Sequence, residues 1–200
     1  MSTDPRQIQD AEVRILAAIS AQLEADYTEG EDAWAGSPFA WIKTRPSRQV
    51  GAIGEKLVAG WLAARDFNIA RSPDSDADRI VERKRVEIKF STQWKNGGYK
   101  FQQLRDQNYD IAICLGVTPF DAHCWVLPKT AILHHWHTAG NIASQHGGAS
   151  GKDTAWIAVD DPYRPAPWMN EYGGRLKAGL ECLSRLTGFT PPDPNEEELE

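Results

Sequence analysis

No apolar run approaches the roughly 20 residues that a membrane-spanning helix needs, so no span is expected. The opening residues, MSTDPRQIQD, lack the basic-then-apolar order of a secretory signal. Cysteine is scarce: Cys114, Cys124 and Cys182 form no CxxC pair, and an odd number leaves no closed disulfide set. Two of them lie in apolar, strand-like runs, the pattern of reduced, buried thiols in a cytoplasmic protein. No internal repeat is visible. A net positive charge, the usual mark of a nucleic-acid binder, is also missing, since the chain carries −6 at pH 7. What is there is an ordinary globular composition, 41% hydrophobic and 25% charged, in 200 residues. That length buries a proper core without staples.

The charge is unevenly distributed. Residues 1–34 carry a net −6 and the segment from Asp193 to Glu200 a net −5, which leaves +5 for 35–192. Between Arg79 and Arg105 there are eight bases and two acids. A basic surface inside an acidic chain is compatible with phosphate binding, although a solvated charged face has the same composition.

Apolar residues at Val13, Ile15, Leu16, Ile19 and Leu23 predict an amphipathic helix over 7–27. A Gly- and Pro-punctuated loop follows, expected to be packed down by Trp34, Phe39 and Trp41. Ser47 is the expected N-cap of a second helix through about Arg65, with Val50, Ile53, Leu57 and Trp61 on one face. The middle of the chain turns to strands: FNIARS, then DADRIVERKRVEIKFS as a hairpin, Asp78–Val81 going up and Val86–Ser91 returning. A polar helix around Lys100–Gln107 is expected next, then DIAICLGV as a strand buried on both faces. AHCWVLP and TAWIAVD read as further strands, 134–153 as a loop, and GGRLKAGLECLSRL as a closing helix. The expected fold is α/β, a central mixed β-sheet flanked by helices. Its organisation is an N-terminal helical extension over 1–34, a main domain over 35–190 and an acidic disordered tail over 191–200.

Within the returning strand, Glu87 and Lys89 are two apart and project from one face, about 7 Å along the strand. Val86, Ile88 and Phe90 project from the other face into the core. A carboxylate and an ammonium on one side of a buried strand are costly unless they have work or partners. An Asp/Glu-x-Lys triplet alone is weak, and Glu82-Arg83-Lys84 is a second one, assigned to the hairpin turn because neither of its faces is apolar. Asp78 opens the preceding strand, where the hairpin can bring it beside Glu87. Two carboxylates so placed repel unless a cation lies between them. Asp74 and Asp76 in SPDSDAD compete with Asp78, and an Asx-turn is the structural alternative for Asp78. Glu55 in GAIGEK can face the sheet from the second helix, or stand as an exposed helix carboxylate.

The string SPDSDADRIVERKRVEIKFS resembles the active-site hairpin of the PD-(D/E)xK nuclease superfamily, the restriction-endonuclease-like fold. GAIGE before it resembles the helix glutamate of many members, and KFQQLRDQNYDIAICLGV after it their next helix and strand. The resemblance covers roughly residues 38–130. It implies a magnesium-dependent DNA endonuclease, with Mn²⁺ as a substitute, and makes 35–190 a nuclease domain. Asp78 and Glu87 would ligate the metal, with the main-chain carbonyl of Ile88. Lys89 would orient or activate water, and Glu55 and Gln103 would assist. The helix carries Gln103 followed by Gln107, not the Gln-xxx-Tyr of the RecB-like branch. DNA is the implied partner, and many relatives act as homodimers, one site per strand. The activity expected is of restriction or genome-defence type. A repair or junction-resolving nuclease and a non-catalytic DNA-binding protein on the same fold are the alternatives.

The loop STQWKNGGYK, directly after Lys89, joins basic, aromatic and glycine residues. Trp94, Lys95, Lys100 and, beyond them, Arg105 are the expected DNA contacts, with Trp94 able to stack on an unpaired base. HHWH (His134, His135, His137) with His146 fits no standard zinc spacing and is set aside. SGKDT around Lys152 lacks the upstream glycine and the Ser/Thr of a phosphate loop.

Overall fold

The computed structural model describes residues 16, 17, 19, 32–144 and 154–192. Most of the expected helix over 7–27 and the acidic tail from Asp193 lie outside the described residues. Leu16, Ala17 and Ile19 are helical, and Leu16 and Ile19 are exposed.

The molecule is mixed α/β. A six-stranded sheet has the order β1 (Ile69–Arg71), β2 (Arg79–Val81), β3 (Lys84–Thr92), β5 (Ile111–Val117), β6 (Ala122–Pro128) and β9 (Gly173–Arg175). Every pairing in it is antiparallel except β3 with β5, which is parallel. Alternation along the central strands sorts their side chains into two cores. Val86, Ile88, Ile111, Ile113, Leu115, Cys124 and Val126 pack with Val58 and Leu62 of α2 (Ser47–Ala63) and Cys182 and Leu183 of α4 (Leu176–Thr187). On the other face, Ala112, Cys114, Trp125 and Leu127 meet a three-stranded sheet of order β4 (Tyr99–Arg105), β8 (Thr154–Val159) and β7 (Ala143–Ser144). The helix α3 (Lys129–His137) joins this second core through Ile132 and Trp136. With layers on both sides, β5 is buried at every position, which is why its sequence is almost wholly apolar. All three cysteines are buried and free.

The hairpin turns at Glu82-Arg83, both with positive φ (47° and 68°). That is the backbone of a two-residue turn whose twist matches the strands it joins. Glu82 holds the turn to the start of β1: Asn68 N–H donates to its carboxylate at 2.6 Å, and its own N–H donates to the Asn68 carbonyl at 3.0 Å.

Helix α2 starts at Ser47, with Pro46 rather than Ser47 in the N-cap position, and ends at Ala63. Its most buried stripe is Gly54, Val58 and Leu62, one step round from the stripe predicted; Leu57 and Trp61 flank it, partly buried. The shift has a cause. At Gly54 a Cβ would lie 2.1 Å from the Cβ of Phe90, so the missing side chain lets the helix backbone settle directly on β3. A short helix, α1 (Ala40–Lys43), precedes α2. Trp34 is buried, but Trp41 on α1 is 49% exposed and does not pack the loop down as expected.

Three further expectations are corrected. The polar helix over Lys100–Gln107 is instead strand β4 through Arg105, paired antiparallel with β8. Its ladder shifts register between Phe101 and Leu104, so both side chains are fully buried although they are three apart, a spacing that imitates a helix. In the supposed loop 134–153, His134, His135 and His137 belong to α3. Its buried Ala131, Ile132, His135 and Trp136 follow helical spacing, and the Gly- and Ser-rich residues after it masked that pattern. Residues 145–153, with His146 and Lys152, lie outside the described residues. The closing helix begins at Leu176, because Gly173–Arg175 pair with β6 as an edge strand.

Candidate active site at the open edge of strand β3

The site arises from a mismatch in strand length. β2 has three residues and β3 has nine, so the β2-side edge of β3 is unpaired beyond the start of the hairpin. Arg79 pairs with Val86, and one step further along this register sets Asp78 opposite Glu87. Asp78 closes the ladder with its main chain and its side chain. Its N–H donates to the Val86 carbonyl at 3.0 Å, and its carboxylate accepts from the Ile88 N–H at 2.7 Å.

A cleft of about 520 Å³ opens along the edge thus left free. Glu55, Asp78, Lys89 and Gln103 line it. Glu55 comes from α2, where the contact of Gly54 with Phe90 presses that turn of helix onto β3. Gln103 comes from the bulge in β4, with a left-handed φ of 58°. Bulges re-aim side chains, and a non-glycine residue held there stores about 1–3 kcal/mol of strain. Here the bulge turns Gln102 and Gln103 outward while Phe101 and Leu104 stay in the core.

Glu87 lies behind the cleft wall, 7% exposed, and bonds to the Lys89 ammonium at 2.6 Å. Burial pushes its carboxyl above the ordinary value of 4.5; Lys89 opposes the shift, and the Asp78 charge adds to it. Glu55 is shifted upward too, first by burial and then by Asp78, with Glu87 adding and Arg79 and Lys89 opposing. Arg79 pairs with Glu55 at 3.4 Å. Three carboxylates therefore share one electrostatic field, restrained by two cations.

That arrangement suits a hard divalent cation in its donor chemistry. Among the described residues, no three His, Cys, Asp or Glu side chains form a ready-made cage. Magnesium does not require one, since it binds through one or two carboxylates and completes its shell with water and phosphate oxygens. Mutual repulsion between Asp78 and Glu87 is the term that such a cation would relieve. The donors present fit it.

The other residues singled out in the sequence fall into place around this centre. Asp74 is exposed and tied to Arg85, a pairing that lowers its pKa, and it also accepts from the Asp76 N–H at 3.0 Å. It is a turn residue outside the cleft lining, and so is Asp76. Trp94 and Lys100 line the cleft, with the Lys100 ammonium 4.3 Å from the Trp94 ring centre. Lys95 is exposed on the same turn and is not in the lining. Arg105, exposed at the end of β4, lowers the Glu87 pKa without reaching the lining. Sequence reasoning missed Lys43, Arg45 and Gln102, which also line the cleft, and Arg79 as the partner of Glu55. The basic run in WIKTRPSR was the available signal for the first two.

No family model and no curated protein matches the chain. Among solved structures, the bacterial homing endonuclease I-Ssp6803I is similar over 72% of this chain and 97% of that one, at 14% identity and a TM-score of 0.44. A likeness of that degree carries no weight for the chemistry, which rests on the cleft itself.

Proposed function

We propose that this protein is a magnesium-dependent DNA endonuclease, with Asp78, Glu87 and Lys89 at its chemical centre. One observation carries the reading: Asp78 stands opposite the buried Glu87 across the hairpin, and Asp78, Lys89 and Glu55 line a cleft together with Lys43, Arg45, Lys100, Gln102 and Gln103. Phosphodiester hydrolysis needs that combination. A bound magnesium ion would neutralise charge on the scissile phosphate and lower the pKa of an attacking water.

The chain's own residues supply the rest. Asp78 and Glu87 would hold the cation with the carbonyl of Ile88, the residue after Glu87, and the Ile88 N–H already fixes the Asp78 carboxylate. Lys89, on leaving Glu87 for the phosphate, would orient water and stabilise charge on the phosphoryl oxygens. Glu55, with a raised pKa, is suited to receive a proton from that water or to hold a second water in place. Gln103, aimed by its strained backbone, would position the phosphate or the water. Lys43, Arg45 and Lys100 give the cleft the charge to receive a phosphate backbone despite the acidity of the whole chain. Manganese, which accepts the same oxygen donors, is expected to substitute.

Incubation with supercoiled plasmid, in magnesium or in EDTA, tests the reading. Nicking or linearisation only with the metal supports it, and discrete fragments would assign restriction-type specificity. Failure on supercoiled, linear and branched DNA alike would refute it.

A further inference from the structure

We infer that the substrate at this cleft is DNA with an unpaired nucleotide beside the scissile phosphate, stacked on Trp94; the inference rests on the nuclease reading above. Three observations lead to it. The first is exposure: Trp94 is 45% exposed while it lines the cleft. Leaving a large indole in water forgoes burial that most side chains of this size take.

The second is rigidity. The Trp94 N–H donates to the Gly98 carbonyl at 2.9 Å, and the Gly97 N–H donates back to the Trp94 carbonyl at 2.9 Å. The Gln93 side chain donates to the Gly97 carbonyl at 2.9 Å. Gly98 seats the turn on β8, where a Cβ would lie 2.3 Å from the Val159 carbonyl oxygen. Lys100 lies 4.3 Å from the ring centre of Trp94 and 4.9 Å from that of Trp156, and so ties the indole to the second sheet. The turn that carries the ring is fixed by these bonds and Lys100 lies against the indole, which lowers the ordering cost of stacking a base on it.

The third is size and charge. A volume of about 520 Å³ falls among pockets that take one small ligand, the scale of a nucleotide or two. Bases inside a duplex are stacked on each other and offer no free face to an indole, whereas an unpaired or extruded base offers one. Lys43, Arg45, Lys89 and Lys100, all in the lining, supply cations for the phosphates flanking that base. A second half-exposed indole, Trp41, lies outside the lining but near one of its cations, with the Arg45 guanidinium 5.9 Å from its ring centre.

The test is binding in EDTA, where cleavage does not intrude. Fluorescence anisotropy would compare a labelled single strand, a blunt duplex and the same duplex carrying a short internal bubble, with wild type, Trp94→Ala and Trp94→Phe. Wild type is expected to bind the single strand and the bubble at least about tenfold more tightly than the duplex. Trp94→Ala should lose roughly five- to a hundredfold on those two and little on the duplex, while Trp94→Phe keeps most of the affinity. Thermal unfolding should be near wild type for both variants, because the ring sits on an exposed turn. Equal affinity for all three DNAs, or an equal loss on all three in Trp94→Ala, would overturn the inference and leave the nuclease reading standing. Binding to none of them would overturn the inference as well, and the nuclease reading then falls only if cleavage in magnesium also fails.

Discussion

Replacing Gly54 by alanine tests how the site is assembled, because it moves Glu55 without touching it. A Cβ at position 54 would sit 2.1 Å from the Cβ of Phe90, 1.3 Å short of the 3.4 Å at which ordinary contact begins. Phe90 is anchored on β3, so helix α2 must retreat by about an ångström. Overpacking of this kind costs about 1–3 kcal/mol, and this overlap belongs at the upper end. Alanine's better helix propensity returns about 1 kcal/mol, leaving a net loss of roughly 2 kcal/mol. Gly60 lies on the exposed side of the same helix with nothing within 4 Å of its would-be Cβ. Gly60→Ala should therefore gain about 1 kcal/mol. The two variants should differ by about 3 kcal/mol, or roughly 6–12 °C in Tm for a chain of this size. Urea and thermal unfolding read the stability, and plasmid nicking reads the chemistry, where a shift of Glu55 on this scale costs about a hundredfold. A Gly54→Ala protein as stable and as active as Gly60→Ala would show that the packing of α2 on β3 does not set the site.

Other consequences follow from the same geometry. The Glu87–Lys89 pair is mostly buried, with side chains 10% and 18% exposed, so Lys89→Met alone should cost about 3 kcal/mol by stranding a carboxylate. Glu87→Gln with Lys89→Met should recover most of that; urea midpoints for the two single variants and the double variant decide, and strict additivity would contradict the pairing. The raised Glu87 pKa favours the folded state below the unfolded value near 4.5, and that contribution is lost as pH rises through the folded value. The stability of Glu87→Gln relative to wild type should therefore rise as pH rises above the unfolded value, and a relative fall in urea titrations taken upward from there would reverse that sign. Arg83→Gly should stabilise the hairpin by about 1 kcal/mol, since φ of 68° costs glycine nothing; a lowered Tm would mean that the Arg83 side chain contributes more than its backbone strain costs.

The sequence made the centre of this protein legible and its edges less so. β5 could be read because a strand buried on both faces leaves no choice but apolar residues, and the hairpin because Glu87 and Lys89 alternate with the apolar Val86, Ile88 and Phe90. β4 could not: Tyr99, Phe101 and Leu104 change spacing midway, and only the bulge at Gln102 and Gln103 reconciles them with a strand. The same bulge carries Gln103 into the cleft, so its position was foreseen on the wrong element. Phe90 explains why Gly54 rather than Ile53 faces the sheet, a tertiary contact that no helical periodicity contains. Arg45 and Lys43 join the cleft through the turn into α2, and their role depends on a chain path that local pattern does not encode.

The most direct measurement is cleavage of plasmid DNA across a magnesium titration by wild type, Glu87→Gln and Lys89→Met, each checked for folding by circular dichroism. The account predicts metal-dependent cleavage by wild type and at least about a hundredfold loss in both folded variants. Cleavage by either variant at the wild-type rate, or cleavage by wild type that persists in EDTA, would contradict it.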